Sequence, residues 1–143
     1  MIHQLLPDTD PLLHQRIAGV SEGLDREKFS QLMVLNMIHH KGMGLSANQI
    51  GLTERAFAAV LGQKLVVCYN PSITVYSVSQ TPLDEGCLSY PGMRLSITRP
   101  SEVTVRYENE EGEVITDFLS GIAAKVFQHE LDHLNGVTFV NRT

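Results

Sequence analysis

The feature that most limits what this chain can fold into is a pair of histidines one helical turn apart, in His129-Glu130-Leu131-Asp132-His133. On a helix, residues four apart leave the same face, so both imidazoles can reach one point in space. Ser120 is a capping residue and Gly136 a stop, which predicts a helix from Ser120 to about Asn135. Around that helix Ile122, Val126, His129 and His133 share a face, while Lys125, Gln128, Asp132 and Asn135 form a polar stripe. Two histidines pointing inward with apolar residues imply a ligand that binds them. The bland alternative is a pair of core histidines satisfied by backbone carbonyls. With 6 histidines in 143 residues, chance supplies only about 0.02 H-E-x-x-H matches, and the helical context favours a metal site.

Glu130 lies beside the two histidines without being needed as a ligand, so it is free to move protons. A catalytic metal takes three protein ligands and keeps one position open. No third His or Glu follows at the spacing of zinc proteases: Leu134-Asn135-Gly136 comes next and the sequence ends at Thr143. The other histidines are His3, His14, His39 and His40, of which His39-His40 reads as surface or packing. Cys68, in an apolar run, reads as core. Cys87, next to Gly86 in Asp84-Glu85-Gly86-Cys87-Leu88-Ser89, reads by itself either as a small buried hydrophobe or as a soft ligand.

The remaining pattern is that of one α+β domain spanning residues 1–143, with mixed or antiparallel sheets around the helix that carries the histidines. Asp25 through Lys41 predicts a helix, capped by Asp25 and ended by Gly42. Residues 42–51, Gly-Met-Gly-Leu-Ser-Ala-Asn-Gln-Ile-Gly, read as a loop. Strands are expected over 64–69, 72–78, 102–107 and 114–119, the last two joined by a turn at Asn109-Glu110-Glu111-Gly112. A net charge of -5 offers no basic field for nucleic acid or an anionic membrane. No apolar run approaches the roughly 20 residues that span a bilayer, and the first residues lack the basic-then-apolar pattern of a secretory signal.

Three segments together resemble the signature motifs of the peptide deformylase family. Gly42-Met43-Gly44-Leu45-Ser46-Ala47-Asn48-Gln49 is similar to the first, a glycine-rich loop ending in Gln. Glu85-Gly86-Cys87-Leu88-Ser89 is similar to the second and Gln128-His129-Glu130-Leu131-Asp132-His133 to the third. The resemblance implies that Cys87, His129 and His133 hold one divalent metal ion, Fe(II) by expectation, with Zn(II), Ni(II) or Co(II) able to substitute. It implies Glu130 as general base and acid, the Gln49 side chain and the Leu88 N–H as oxyanion donors, and a buried Glu85–Arg99 ion pair bracing the Cys87 segment. Met43, Gly44, Arg94 and Val126 fall where the family lines its substrate cleft.

The function so implied is hydrolysis of the N-terminal formyl group of N-formylmethionyl nascent peptides in the cytoplasm. Water made nucleophilic by the metal attacks, and Glu130 carries the proton to the leaving amine. Ser46 stands where the family usually has alanine and Asn48 where it usually has alanine or threonine, and both are small. Only ten residues follow His133, short of the C-terminal helix with which typical bacterial members dock on the ribosome, so the chain either resembles compact, phage-like forms or is a shortened piece of a longer one, and ribosome docking is the implied partner least supported. The competing classes are an H-E-x-x-H protease, a domain with a structural metal and a non-catalytic relative. The absent downstream ligand, the three-donor set and the retained Glu130 argue against each in turn.

Overall fold

The computed structural model describes residues 1–143. Its elements in chain order are α1 (Arg26–His39), β1 (Gly44–Ser46), β2 (Ala56–Leu61), β3 (Lys64–Tyr76), β4 (Gln80–Cys87), β5 (Tyr90–Pro100), β6 (Glu102–Glu108), β7 (Val114–Ser120) and α2 (Gly121–Leu134), with 3-10 turns at Pro11–His14, Ala47–Ile50 and Phe139–Arg142. Five strands form one sheet in the order β1-β2-β3-β6-β7, and β4-β5 form a separate two-stranded sheet. Every pairing is antiparallel.

β2, Ala-Phe-Ala-Ala-Val-Leu, is nearly continuously buried because both of its faces are covered. Side chains alternate across a strand, so Phe57, Ala59 and Leu61 join Phe127, Leu131 and Leu134 of α2 in the larger core. Ala58 joins Met33 and Met37 of α1 in the smaller one. The Phe57 and Phe127 rings meet edge to face with centroids 5.1 Å apart. Helix α2 is therefore fixed against the sheet at its middle, and the histidines of its last two turns follow from that placement.

Several expectations hold in type and shift in detail. Asp25 caps α1 as expected, its carboxylate accepting from the Lys28 N–H at 3.2 Å. The residue that ends α1 in the left-handed region is Lys41 (φ 61), not Gly42. Gly42 is one residue further on, donating its N–H to the Met37 carbonyl at 3.1 Å. A Cβ there would lie 2.7 Å from Leu88 Cδ1 and 3.0 Å from the Gly44 carbonyl oxygen, so a larger residue would have to displace the Leu88 side chain.

Residues 42–51 are not a plain loop: Gly44–Ser46 pairs with Ala59–Phe57, and a 3-10 turn follows. The two strands expected at 64–69 and 72–78 are one strand, β3, carried through Asn70 (φ 49) with register shifts on either side of Ser72–Ile73. On α2, Ile122 is 56% exposed rather than inward, and the polar stripe is only partly solvated: Gln128 and Asp132 are buried, Lys125 is half-buried and Asn135 is exposed.

Buried Arg55 ties the N-terminal segment to the end of α2. Its Nη1 donates to the Ile17 and Leu134 carbonyls at 3.0 Å each, and its Nη2 to Asn135 Oδ1 at 2.6 Å. Gly136 (φ 77) turns the chain there, so close to the Gln15 backbone that a Cβ would sit 2.7 Å from its nitrogen.

Candidate active site

Three elements meet at one cleft. α2 brings His129, Glu130 and Val126, the end of β4 brings Cys87 and Leu88, and β1 with its following turn brings Gly44 and Gln49. The cleft measures about 580 Å³, and Met43 and Arg94 also line it. One donor atom each from Cys87, His129 and His133 lie within 4.8 Å of one another, and all three residues are buried. Cys87 Sγ is 3.2 Å from His133 Nε2. Every site residue expected from sequence is thus in or against this cleft except Arg99, which stands behind it.

The donor set fits a metal. A thiolate and two neutral imidazoles are a soft-to-borderline set, and three protein donors leave one position open. The tautomer of His129 is set from outside the trio. Its Nδ1 lies 2.8 Å from Glu85 Oε1, and an ionised carboxylate only accepts, so Nδ1 carries the hydrogen and Nε2 is left to ligate. Burial by itself would raise the Glu85 carboxyl. The hydrogen bonds from His129 and Arg99 overcome it and hold the group down at about 2. Arg99 donates to both Glu85 oxygens, at 2.6 and 3.0 Å, and to Asp132 Oδ2 at 2.8 Å. A buried Glu85–Arg99 pair, as expected, therefore braces both the Cys87 strand and the ligand helix.

Glu130 is treated differently by its surroundings. It is 4% exposed and its Oε1 has no hydrogen-bond partner. Burial, the dominant influence, raises its carboxyl to about 7. Gly44 makes room for it: a Cβ at that position would meet Glu130 Oε2 at 2.5 Å. The result is a buried carboxylate beside the donor trio, with no other partner on Oε1 and tuned near neutrality, which suits general base work.

Gln49 is held in one orientation. The Ser46 N–H and hydroxyl both donate to its Oε1, at 3.0 and 3.1 Å. Its Nε2 donates to Ser89 Oγ at 2.9 Å and faces Cys87 Sγ at 3.9 Å. The amide nitrogen is thus turned to the donor trio. Sequence reading missed this use of Ser46 and Ser89, and the anchoring of Asp132 by Arg99 and Arg142. Ser46 and Gln49 are three apart, the spacing of a capping box that the sequence itself carries, whereas the partners of Ser89 and Asp132 lie at separations that helical or strand periodicity does not report. Asn48, the second departure, donates to the His133 carbonyl at 2.8 Å and so ties the loop to the ligand helix.

A family model described as polypeptide deformylase matches residues 2–143. A peptide deformylase of Thermotoga petrophila is 40% identical over 134 residues, covering 93% of this chain and 82% of its own. That of Natranaerobius thermophilus is 36% identical over 143 residues, covering 99% of this chain and 92% of its own. The crystal structure of peptide deformylase from Thermotoga maritima matches with a TM-score of 0.95 at 36% identity, over 99% of this chain and 97% of that one. A class I type b peptide deformylase from Acinetobacter baumannii, solved with Met-Ala-Ser bound, matches with a TM-score of 0.94 at 27% identity, over 100% and 99% of the two chains.

Proposed function

This chain belongs to the peptide deformylase family, and from that premise we propose that it removes the N-terminal formyl group of N-formylmethionyl peptides, residues 1–143 acting as one catalytic domain. The observation that carries the reading is the convergence of Cys87, His129 and His133 on a cleft that also holds an uncommitted Glu130.

Cys87, His129 and His133 hold the ion. Membership of the family makes Fe(II) the expected ion, and the thiolate-imidazole set would accept Zn(II), Ni(II) or Co(II) in its place. When bound, the ion supplies Lewis acidity and lowers the pKa of water from 15.7 to about 7. Glu130 accepts the proton of the attacking water and delivers it to the departing amine, whose nitrogen would otherwise leave as a poor anion. The Gln49 amide and the Leu88 N–H donate to the formyl oxygen as negative charge builds on it, a role in which each donor is worth about 2.7–4 kcal/mol.

Met43, Gly44, Arg94 and Val126 contact the substrate. Val126 and Met43 offer apolar surface to the methionine side chain. β1 is the outer strand of its sheet, and its free edge can pair with an extended peptide backbone. The third metal donor is a cysteine on a strand, not a His or Glu downstream of α2, which separates this site from H-E-x-x-H proteases. No helix is long and apolar enough to cross a membrane, and the reading puts the reaction in the cytoplasm, on chains leaving the ribosome.

Protein purified without oxygen and loaded with Fe(II) or Ni(II) is expected to release formate from formyl-Met-Ala-Ser. The activity should vanish on chelation and return when the ion is restored. Absence of formate release with one equivalent of ion bound would overturn the reading.

The orientation of Gln49 has its own test. Ser46→Ala removes the hydroxyl that helps hold Oε1, and one such hydrogen bond contributes about 0.5–1.5 kcal/mol. The expected result is a fall in kcat of about twofold to tenfold with KM little changed. An unaltered kcat would mean that the Ser46 N–H and Ser89 suffice to fix the amide.

A further inference from the structure

Three cations line the mouth of the cleft: Lys41, Arg94 and Lys125. They come from three separate elements. Lys41 is held in the left-handed turn (φ 61) that ends α1. Arg94 stands on β5 opposite Gly86, and its guanidinium lies over that glycine so closely that a Cβ there would be 2.8 Å from Nη1. Lys125 is one helical turn before His129, and its Nζ donates to the Asp84 backbone carbonyl at 3.1 Å.

None of the three is in an ion pair. The salt bridges of the molecule use Arg26, Arg99, His129 and Arg142. The only carboxylates lining the cleft are Glu85 and Glu130. Both are buried, and Glu85 is already paired with Arg99 and His129. A chain of net charge -5 therefore presents an unneutralised positive rim where its substrate enters, and a cleft with walls of one sign focuses the field on what approaches.

We propose that this rim selects formylated peptides that carry a carboxylate within the first few residues after formyl-methionine. The inference rests on the deformylase reading and adds the charge class of the substrate beyond the first residue. Two sources of the carboxylate share this chemistry: an acidic side chain, and the free C-terminus of a short peptide.

Four peptides distinguish the outcomes. These are formyl-Met-Ala-Ser amide, formyl-Met-Asp-Ser amide, formyl-Met-Lys-Ser amide and formyl-Met-Ala-Ser with a free C-terminus, each assayed for formate release at low and at high salt. At low salt the aspartyl peptide is expected to exceed the neutral amide in kcat/KM by about threefold to tenfold, through KM, and the lysyl peptide to fall below it. The preference should collapse in about 0.5 M salt, where the Debye length is only a few ångströms. Lys41→Gln, Arg94→Gln and Lys125→Gln should each lower the aspartyl-to-neutral ratio by about 1.5-fold to fivefold.

A gain for the free acid alone would assign the rim to peptide C-termini, and a gain for the aspartyl amide would assign it to side chains. Turnover of the neutral amide with equal kcat/KM for the aspartyl and lysyl peptides, and none gained from the free C-terminus, would overturn the inference while leaving deformylation intact. Failure of the neutral amide itself would count against deformylation.

Discussion

Glu130→Gln protein carrying one equivalent of metal is expected to release formate about 10²–10⁴-fold more slowly than the unaltered chain, the range that a positioned general acid-base group contributes. Glutamine has the same shape, so the contact with Gly44 and the packing of α2 are kept and only the proton-accepting oxygen is lost. Metal content and helical circular dichroism should not change, because the ligand donors are on Cys87, His129 and His133. Burial holds the Glu130 carboxyl at about 7 before the ion is present. A divalent cation nearby favours the charged form and moves that value down. The base must be deprotonated to work, so kcat/KM should fall as pH drops through a midpoint below 7, and this acid limb should be missing in Glu130→Gln. A variant within about tenfold of full activity would place proton transfer on another group.

The part of this site that could be read from sequence is the part whose geometry is local. His129 and His133 are one turn apart, and that spacing alone makes them neighbours. Their inward aim follows from Val126, Phe127 and Leu131, which bury α2 against β2. The alternation Val103, Val105, Tyr107 shows the buried face of β6 in the same way.

Long-range partnership was hidden. Gln128 and Asp132 read as a polar stripe because polar residues on a helix usually face water. They are buried because Gln128 reaches the Pro100 carbonyl at 3.0 Å and Asp132 accepts from Arg99 at 2.8 Å and from Arg142 at 2.7 and 3.0 Å. Gly44–Ser46 resembles a loop in composition and becomes a strand only because Ala59–Phe57 offers it an edge. Asn70-Pro71 looks like a break between strands, yet Asn70 tolerates φ 49 and lets β3 bend and go on. The cations at the cleft mouth are scattered at 41, 94 and 125, and only the fold assembles them.

Arg99→Ala is expected to destabilise the chain by about 3–5 kcal/mol, because removing one partner of a buried ionic group leaves the others uncompensated. Arg99 is 5% exposed and supplies three of the hydrogen bonds to Glu85 and Asp132. Without it Glu85 keeps only His129, and its carboxyl rises from the low value that the two partners together maintain. With one of its two partners gone, Glu85 is no longer held in the position that fixes the His129 hydrogen on Nδ1, so the ring orientation that leaves Nε2 free is less firmly enforced. Losses of this kind in the groups behind a ligand cost about 10–100-fold in metal affinity. Urea unfolding of metal-free protein measures the stability term, and competition with a chromogenic chelator for Zn(II) measures the affinity term. Arg142→Ala is the internal comparison. It also removes hydrogen bonds to Asp132, but the Arg142 side chain is 48% exposed, and an exposed ion pair contributes only about 0.2–1 kcal/mol. It should leave metal affinity unchanged, since Asp132 does not touch His129. If Arg142→Ala proved as costly as Arg99→Ala, the Asp132 contact rather than Glu85 would be what fixes the ligand helix. If Arg99→Ala unfolded the chain but bound Zn(II) as tightly once refolded, the network would serve the fold and not the metal.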